Sequence, residues 1–309
     1  MPEGILCVDK PADFTSFDVV AKVRGMSKCR KIGHGGTLDP MATGVLPLFF
    51  GRAVKATALV PVQDKRYTAR VRLGLTTDTQ DITGTVLSET RARVDRERLE
   101  EALCPLRGTI RQLPPMYSAV WVDGRRLYDL AREGREIDRP EREVTIHSLE
   151  LLGFDEAVQE FELDVRCSKG TFIRTLCHDL GQALGCGAVL TELRRTETLG
   201  YTIDQCVTLD TLQRVCDEGE LDRLLLPTDS AFSMYGRIFL SPQQANMFRH
   251  GIRLDSRRIR HPDTDAPLRI YGGGRFLGLA RIDRESFELV LIKLFAVPDE
   301  AETGGRRTR

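Results

Sequence analysis

The sequence lacks a long hydrophobic run: nowhere do apolar residues approach the stretch of about 20 that a membrane-spanning helix needs. Its first residues, Met1-Pro2-Glu3-Gly4, have neither the positive charge nor the apolar stretch of a secretory signal peptide. Apolar residues make up 41% of the 309 residues and charged residues 29%, which is typical of a soluble globular protein. We therefore expect a cytoplasmic protein with no membrane partner.

The sequence also lacks any Cys-x-x-Cys pair, and its five histidines lie far apart, so no local pattern indicates a metal site. In a protein without a signal peptide, dispersed cysteines are expected to be reduced and mostly buried. We expect no metal. The cysteines are at positions 7, 29, 104, 167, 177, 186, 206 and 216.

An excess of positive charge is missing as well. Lys plus Arg and Asp plus Glu number 45 each, so the formal net charge is zero. Domains that bind nucleic acids usually carry a basic excess. An RNA-binding function would therefore require basic side chains that cluster locally, with the acidic residues placed elsewhere.

The most informative segment that is present is the glycine-rich stretch 33–47, GHGGTLDPMATGVLP. Its single acid, Asp39, precedes a proline, and such residues are disfavoured in helices, so Asp39 is predicted to project from a loop. Glycines allow a ligand to approach the backbone closely. An Asp in such a turn often bonds only its own backbone, which is the alternative interpretation. The four glycines of the segment favour a functional loop.

The apolar periodicity mixes strands and helices without a regular alternation of the two, which predicts an α+β fold. In the first helix, Phe17, Val20 and Val23 are predicted to form the buried face, and Gly25 to end it. Strands are predicted over 4–9, 67–73, 116–122 and 161–167, and helices over 15–25, 95–103, 127–134, 171–184 and around 209–212.

A second unit is predicted to begin near Tyr235. Ser241-Pro242 has the pattern of a helix start and Gly251 that of a helix stop, and short strands are predicted near 268–271, 276–282 and 287–294. The last residues contain almost no apolar side chains. The predicted division is residues 1–234, a small β-rich domain over 235–298, and a disordered tail over 299–309.

Several motifs follow one another in an order that resembles a known family. Besides the loop around Asp39, they are GRAVK at 51–55, DKRY at 64–67, GLTTDT at 74–79, PMYSA at 115–119 and CSKGTFIRT at 167–175. Over roughly residues 4–235 the chain resembles the TruB family of tRNA pseudouridine-55 synthases. The resemblance implies a pseudouridine-synthase fold, with a mixed sheet and a central catalytic cleft, followed by a PUA-like RNA-binding domain.

The resemblance also implies an activity: isomerisation of uridine 55 in the T loop of tRNA. The bond between the base and the sugar is broken, the base rotates, and carbon 5 replaces nitrogen 1. Nothing is oxidised or hydrolysed, so no cofactor is expected. A carboxylate suits this reaction because positive character develops at the anomeric carbon. Attack on that carbon and removal of the neighbouring sugar proton both remain open.

Three residues are expected to be catalytic. By resemblance, Asp39 is the acid, Arg174 is its ion-pair partner, and Tyr67 stacks on the target base and helps to remove a proton from carbon 5. Arg174 also falls in the first turn of its predicted helix, where a cation opposes the helix dipole, so an anion is expected nearby. An exposed arginine of little consequence is the alternative.

Six further residues are expected to bind the RNA, again by resemblance. An enzyme that extrudes a base needs a side chain to fill the gap, and His34 is assigned that role. Phe172 and Leu193 are expected to line the uracil pocket. The candidates for phosphate contact are Lys10, Lys169 and Arg194.

The chain departs from the family pattern at three positions. Gly35 stands where Thr is common, Asp13 where Gly is usual, and Phe172 where Tyr is more frequent. The expected partner is tRNA alone, bound by a monomer without guide RNA. The segment 124–143, with six arginines and six acids, is predicted to be exposed and rich in ion pairs, and in the family it belongs to a mobile element that grips the RNA arm.

Other functions fit less well. An RNA-folding chaperone without chemistry would not need the acid, the tyrosine and the arginine together. A guide-RNA-dependent relative remains a close rival. A phosphate loop at 33–36 fails because no Gly-Lys-Ser/Thr follows it. An ordinary glycosidase would need a second acid, and none is evident near Asp39.

Overall fold

The structure is a computed structural model that describes residues 2–91 and 93–296. Its strands, in chain order, are β1 (Gly4–Lys10), β2 (Ile32–His34), β3 (Thr43–Phe50), β4 (Lys65–Leu73), β5 (Leu75–Thr77), β6 (Val86–Glu89), β7 (Gly108–Gln112), β8 (Trp121–Val122), β9 (Arg125–Arg126), β10 (Arg142–Asp155), β11 (Glu160–Cys167), β12 (Ala188–Thr198), β13 (Tyr201–Thr202), β14 (Arg237–Leu240), β15 (Leu254–Asp255), β16 (Leu268–Gly272), β17 (Arg275–Asp283) and β18 (Glu288–Leu294). Its α-helices are α1 (Ser16–Ser27), α2 (Arg96–Leu103), α3 (Leu127–Arg132), α4 (Ile173–Leu184), α5 (Leu209–Asp217) and α6 (Pro242–Arg249). Within these ranges no helix has the length and apolar character to span a bilayer. All eight cysteines lie in these ranges as free thiols.

A mixed sheet organises residues 4–202, which confirms the predicted α+β class. Its strands are in the order β1-β3-β12-β4-β11-β10-β7, with β2 added to β3 and β13 to β12. The pairing of β3 with β12 is parallel, whereas the other pairings are antiparallel. In that parallel pairing Thr43 and Gly44 face Arg194 and Arg195, immediately after the glycine-rich loop. The chain that leaves the glycine-rich loop therefore enters the sheet directly beside β12.

Strand β4 shows why one face of this sheet is buried. Its odd-numbered residues from Tyr67 to Leu73 are buried, while Arg70 and Arg72 are exposed, as the predicted alternation requires. On the neighbouring strand, Leu163 pairs with Ala69, so that apolar side chains meet on the same face. That face carries the largest core cluster of this region.

Helices α2 and α4 cover the buried face. The predicted apolar stripe of α4 is present, with Ile173, Leu176, Cys177, Leu180 and Leu184 all buried. The predicted cap of α2 is present as well: the carboxylate of Asp95 accepts a 2.9 Å hydrogen bond from the backbone N–H of Arg98. Gly181 lets α4 pass close to the start of β12, since a Cβ there would lie 2.1 Å from the backbone nitrogen of Ala188.

Helix α1 begins where predicted but ends later and buries a different face. Thr15 and Asp18 form a capping box at its start. The predicted stop at Gly25 is wrong: the helix continues to Ser27, because a single glycine lowers helix propensity only weakly. Phe17, predicted to be buried, is 63% exposed. The helical period places Val19, rather than Phe17, beside Val20 and Val23 on the buried face.

The predicted strand over 116–122 is also wrong, because only Trp121–Val122 has strand geometry. A tight hydrogen bond from Ser118 N–H to the Met116 carbonyl (2.9 Å) turns the chain before that point. The two prolines at 114 and 115 lack the N–H groups that a sheet needs. The predicted turn at Asp123-Gly124 is present and joins β8 to β9.

A second sheet, in the order β14-β16-β17-β18-β15, contains the three strands predicted near the C terminus. Helix α6 has the predicted Ser241 cap with Pro242 after it. Phe232, Phe276 and Phe295 pack this sheet against the larger part of the protein. The predicted disordered tail, 299–309, lies outside the described residues.

Two helical glycines should respond oppositely to substitution by alanine. Gly181→Ala should destabilise the fold by about 1–3 kcal/mol, because the new methyl would overlap the backbone at Ala188. Gly25→Ala, with no atom within 4 Å of the added Cβ, should stabilise it by about 0.5–1 kcal/mol. Urea unfolding of both variants measures the difference. Equal effects would contradict the close packing of α4 on β12.

Candidate active site

A buried arginine of β12, Arg195, which was not predicted from the sequence, holds the loop that carries Asp39. The guanidinium of Arg195 donates hydrogen bonds to the carbonyls of Gly36 (3.1 Å), Thr37 (3.2 Å) and Val45 (2.9 Å). Arg195 is fully buried. Adjacent residues of a strand point to opposite faces, so the pair Arg194-Arg195 on a central strand signalled that one arginine must lie inside.

Lys10 corrects a prediction. It was expected to contact phosphate, but it is fully buried, and its ammonium donates to the carbonyls of Pro11 (2.8 Å), Phe14 (2.6 Å) and Pro40 (3.0 Å). These bonds use all three of its donors. Burial lowers the pKa of Lys10 to about 8, an effect that Asp39 partly offsets. Lys10 therefore holds the residue after Asp39 and cannot reach a phosphate.

The predicted pair of Asp39 and Arg174 is present. The Nε of Arg174 donates to the Oδ2 of Asp39 at 2.9 Å. Its two terminal nitrogens donate to the carbonyls of Thr79 (2.9 Å) and Tyr117 (2.8 Å). The arginine side chain is 5% exposed and the aspartate side chain 37% exposed, so a fixed cation presents a carboxylate that remains accessible.

A second carboxylate, which was not evident from the sequence, lies nearby. The Oδ2 of Asp81 is 3.6 Å from the Nε of Arg174. Asp81 is 5% exposed, and its Oδ1 accepts hydrogen bonds from the Thr79 hydroxyl (2.8 Å) and from the N–H (3.0 Å) and hydroxyl (2.6 Å) of Thr83. This enclosed carboxylate anchors the arginine, and its contacts with Thr79, Thr83 and Arg174 leave it poorly placed to act on a leaving group.

Asp39 and Arg174 open onto a cavity of about 200 Å³. Tyr67, Phe172 and Leu193 line the same cavity, so five of the nine predicted site residues come together there. Tyr67 and Leu193 reach it from the neighbouring strands β4 and β12. Phe172 reaches it from the start of α4, where its N–H donates to the side chain of Gln112 (3.0 Å). Apolar walls with a few polar groups are typical of small-ligand sites.

The hydroxyl of Tyr67 is protonated at neutral pH. Burial raises the pKa of Tyr67 to about 12, although the charge of Arg195 counteracts part of that rise. The group can therefore donate a hydrogen bond, and it can accept a proton only together with proton transfer elsewhere.

A larger cavity of about 400 Å³ adjoins the other side of Asp39. Its walls include exposed Phe17 and, from the segment that contains α3, Arg126, Tyr128 and Arg132. The guanidinium of Arg126 lies 5.8 Å and that of Arg132 5.4 Å from the Tyr128 ring. Some acids of the segment form ion pairs with its other arginines, such as Glu133 with Arg125 and Glu136 with Arg139. The prediction of an exposed, ion-paired segment over 124–143 holds, but two of its arginines face the cleft.

His34 lies beside this larger cavity. Its Nδ1 accepts a hydrogen bond from the backbone N–H of Gly36 (3.3 Å), and the ring meets that of Phe17 edge-on at 5.3 Å. Burial lowers the pKa of His34, and the charge of Arg195 adds to that effect. The ring is therefore neutral at physiological pH and presents an aromatic surface instead of a charge.

The remaining basic candidates lie away from the small cavity. Arg194 forms an ion pair with Asp9 (2.8 Å) and keeps 42% of its side chain exposed. Lys169 is exposed in the turn between β11 and α4. Both positions are accessible from solvent, unlike Lys10.

Two departures from the family pattern have local explanations. Gly35 packs so tightly that a Cβ would lie 2.4 Å from the side chain of Leu199 and 2.9 Å from that of Phe49, so a threonine there would require both side chains to shift. Asp13 has a φ of 62°, a left-handed conformation that glycine adopts without strain. The usual glycine at that position is thus explained by the backbone.

The fold and the site together define the class of this protein. The family model described as "TruB family pseudouridylate synthase (N terminal domain)" matches residues 24–173, and "tRNA pseudouridylate synthase B C-terminal domain" matches residues 174–233. The chain belongs to the TruB family of pseudouridylate synthases and is an isomerase of that family. The predicted family resemblance is confirmed.

Similar proteins match over nearly their whole length. The tRNA pseudouridine synthase B of an Azoarcus species is 46% identical over 90% of this chain and 90% of its own. Those of Clostridium tetani and Pseudomonas aeruginosa are 38% and 44% identical, covering 93% and 90% of this chain and 98% and 91% of theirs.

Solved structures with low sequence identity share the fold. An H/ACA RNP bound to a substrate RNA gives a TM-score of 0.72 at 21% identity, covering 96% of this chain and 86% of that one. A Cbf5-Nop10-Gar1 complex gives 0.72 at 23% identity, with the same coverage. The predicted pseudouridine-synthase fold, with a mixed sheet and a separate C-terminal β-rich region, is confirmed.

Arg174 should be essential for stability as well as for the geometry of the site. Arg174→Ala should destabilise the protein by about 3–5 kcal/mol, because it leaves Asp81 and two carbonyls without their buried partner. The matched control is Arg70→Ala, whose partner Glu192 is 70% exposed and whose loss should cost less than about 1 kcal/mol. Urea unfolding measures both. Similar losses in the two variants would show that the arginine network contributes little.

Proposed function

We propose that this chain converts uridine 55 in the T loop of tRNA to pseudouridine. The observation that supports this most strongly is the accessible carboxylate of Asp39, held by buried Arg174 beside a cavity that can take one base. The relatives that share 38–46% of its residues are named tRNA pseudouridine synthase B. The site and the family point to the same reaction.

The carboxylate of Asp39 acts on the ribose of the target nucleotide. As the bond from nitrogen 1 to the sugar breaks, positive character at the anomeric carbon is stabilised by the adjacent negative charge. Asp39 either attacks that carbon or removes the proton of the neighbouring sugar carbon, and both roles fit its accessible position. Deuterium at that neighbouring carbon would slow the reaction only if the proton is removed.

The other cavity residues hold the base. In this proposal Tyr67 stacks on the uracil, while Phe172 and Leu193 pack on its edges. After the base has rotated and carbon 5 has joined the sugar, the protonated hydroxyl of Tyr67 takes part in the transfer of the carbon 5 proton toward nitrogen 1. Composition is unchanged, so the reaction needs no oxidant or cofactor.

The RNA approaches over the larger cavity. Extrusion of a nucleotide leaves a gap in the RNA, and the neutral ring of His34 is suited to fill it by stacking. We place phosphate contacts at the exposed side chains of Arg194 and Lys169. The cleft-facing Arg126 and Arg132 supply the local positive charge that a chain of zero net charge requires.

We further propose that the protein acts alone, as a cytoplasmic monomer without guide RNA. The named bacterial relatives support a tRNA substrate, whereas the H/ACA complexes support the fold only. We retain the division into a catalytic domain over 1–234 and a PUA-like RNA-binding domain over 235–298. A purely RNA-folding role is disfavoured, because it would leave the assembled acid–arginine pair without a use.

The proposal predicts product at one position. Purified protein incubated with an unmodified tRNA transcript, without added metal or guide RNA, should form pseudouridine at position 55 of the T loop. Carbodiimide modification followed by primer extension maps the product. A transcript with cytidine at position 55 is the control. Binding of the transcript without any product would favour the RNA-folding alternative instead.

The tyrosine hydroxyl can be tested separately from its ring. Tyr67→Phe should retain tRNA binding but lose about 10²–10⁴-fold in single-turnover rate, because only the group that handles the proton is removed. The matched control is Tyr201→Phe, which removes a buried hydroxyl bonded to Ser230 (2.9 Å) and should leave the rate unchanged. If Tyr67→Phe turns over normally, the ring only stacks.

A further inference from the structure

Lys65 lines the small cavity together with Asp39 and Tyr67. It is the first residue of β4, with its backbone opposite Cys167 on β11 and Thr198 on β12. Side chains two residues apart on a strand share a face, so Lys65 lies on the same inner face as Tyr67. The lysine is therefore held by the sheet and not by a loop.

The ammonium of Lys65 has no protein partner in residues 2–91 and 93–296: no hydrogen bond or ion pair is present there. Its sequence neighbour Asp64 is engaged elsewhere, with His147 (3.3 Å) and Arg166 (3.9 Å). Lys10 provides the contrast, since three carbonyls satisfy its ammonium. A partly buried cation without a partner is costly, which indicates that its partner arrives with the ligand.

The surroundings of Lys65 disfavour its charged form. Burial lowers the pKa of Lys65 to about 8, and the positive charge of Arg195 lowers it further, while Cys167 and Asp39 oppose these effects. Below about pH 8 the lysine is charged in the folded protein and destabilises it. Groups that face it from the packed elements are Asp39, Tyr67, Cys167, Arg174 and Arg195.

The proposed reaction creates an anion in this cavity. When the bond between nitrogen 1 and the sugar breaks, its electron pair stays with the uracil, and the negative charge spreads over nitrogen 1 and the two carbonyl oxygens. When carbon 5 bonds to the sugar, that charge is consumed. The carbon 5 proton then leaves and nitrogen 1 gains one. A fixed cation that touches the base favours the first step without giving up its own proton.

We propose that Lys65 is a further catalytic residue, whose ammonium contacts the uracil and stabilises the negative charge of the detached base. The inference rests on the proposed isomerisation and adds to it the counterpart of Asp39. Asp39 stabilises the positive charge that develops on the sugar, and Lys65 stabilises the negative charge that develops on the base. Asp39 and Lys65 line the same cavity. In this proposal one acts on the sugar and the other on the base, the two groups that the breaking bond joins.

Lys65→Met tests the contact. Its single-turnover rate should fall by about 10²–10³-fold, the usual effect of removing one preorganised donor, while tRNA binding stays unchanged. Its melting temperature should equal or exceed that of the wild type, because an unpaired buried charge is removed. The control is Lys293→Met, an exposed strand lysine of β18. A wild-type rate in Lys65→Met, or weaker tRNA binding with an unchanged rate, would overturn the inference.

A substrate change separates charge stabilisation from a structural effect. With 5-fluorouridine at position 55, the fluorine makes the departing base a weaker base, so cleavage should depend less on Lys65. The loss caused by Lys65→Met should therefore be smaller than with uridine, as measured by loss of the original nucleoside from RNA digests. An equal loss with both substrates would contradict the assignment.

The pH profile gives a third readout. In the wild type, kcat/KM should fall above about pH 8, as free Lys65 loses its proton. In Lys65→Arg that fall should disappear, because a guanidinium stays charged. The same fall in both enzymes would assign it to another group. Absence of pseudouridine with the wild-type protein would refute the proposed function itself, whereas normal wild-type turnover with an unaffected Lys65→Met refutes only this inference.

Discussion

The site depends on one buried guanidinium. Arg174 joins the accessible carboxylate of Asp39 to the enclosed carboxylate of Asp81 and to the carbonyls of Thr79 and Tyr117. These groups come from separate parts of the chain, so a single cation fixes where several loops meet. A buried cation is tolerated only when its hydrogen bonds are satisfied. Arg174 therefore holds the side chain of Asp39 in one place. The accessible side of the carboxylate is then free for substrate.

Two other buried cations complete the frame without touching that carboxylate. Arg195 binds carbonyls on both sides of the loop, and Lys10 binds the carbonyl of Pro40. The hydrogen bonds of these two cations go to backbone carbonyls and not to the carboxylate of Asp39, so they hold the loop in place and leave the acid free. The glycine-rich loop therefore has a fixed shape, although it is rich in the most flexible residue. Lys65, in contrast, has no such carbonyl partner among the described residues, and it faces the base cavity.

The sequence predicted features that depend on local patterns and missed those that depend on long-range contacts. The alternation in β4 and the apolar stripe of α4 follow from periodicity, and Asp39 is marked by its loop. Asp81 has no local signature, because its role arises only when distant segments fold together. For Arg195, the adjacent arginines of a central strand indicate only that one of the two is buried, and not what it binds. Lys10 was wrongly predicted to be accessible, because lysines are usually exposed. Phe17 was wrongly predicted to be buried, because the buried face of a helix can shift by one position along the sequence.

The most direct measurement of the central claim is the single-turnover rate of Asp39→Asn on a tRNA transcript. This substitution keeps the size of the side chain and removes its charge. We predict no detectable pseudouridine at position 55, with tRNA binding and urea unfolding close to those of the wild type. A rate within about tenfold of the wild-type value, or about 1.4 kcal/mol of barrier, would contradict it.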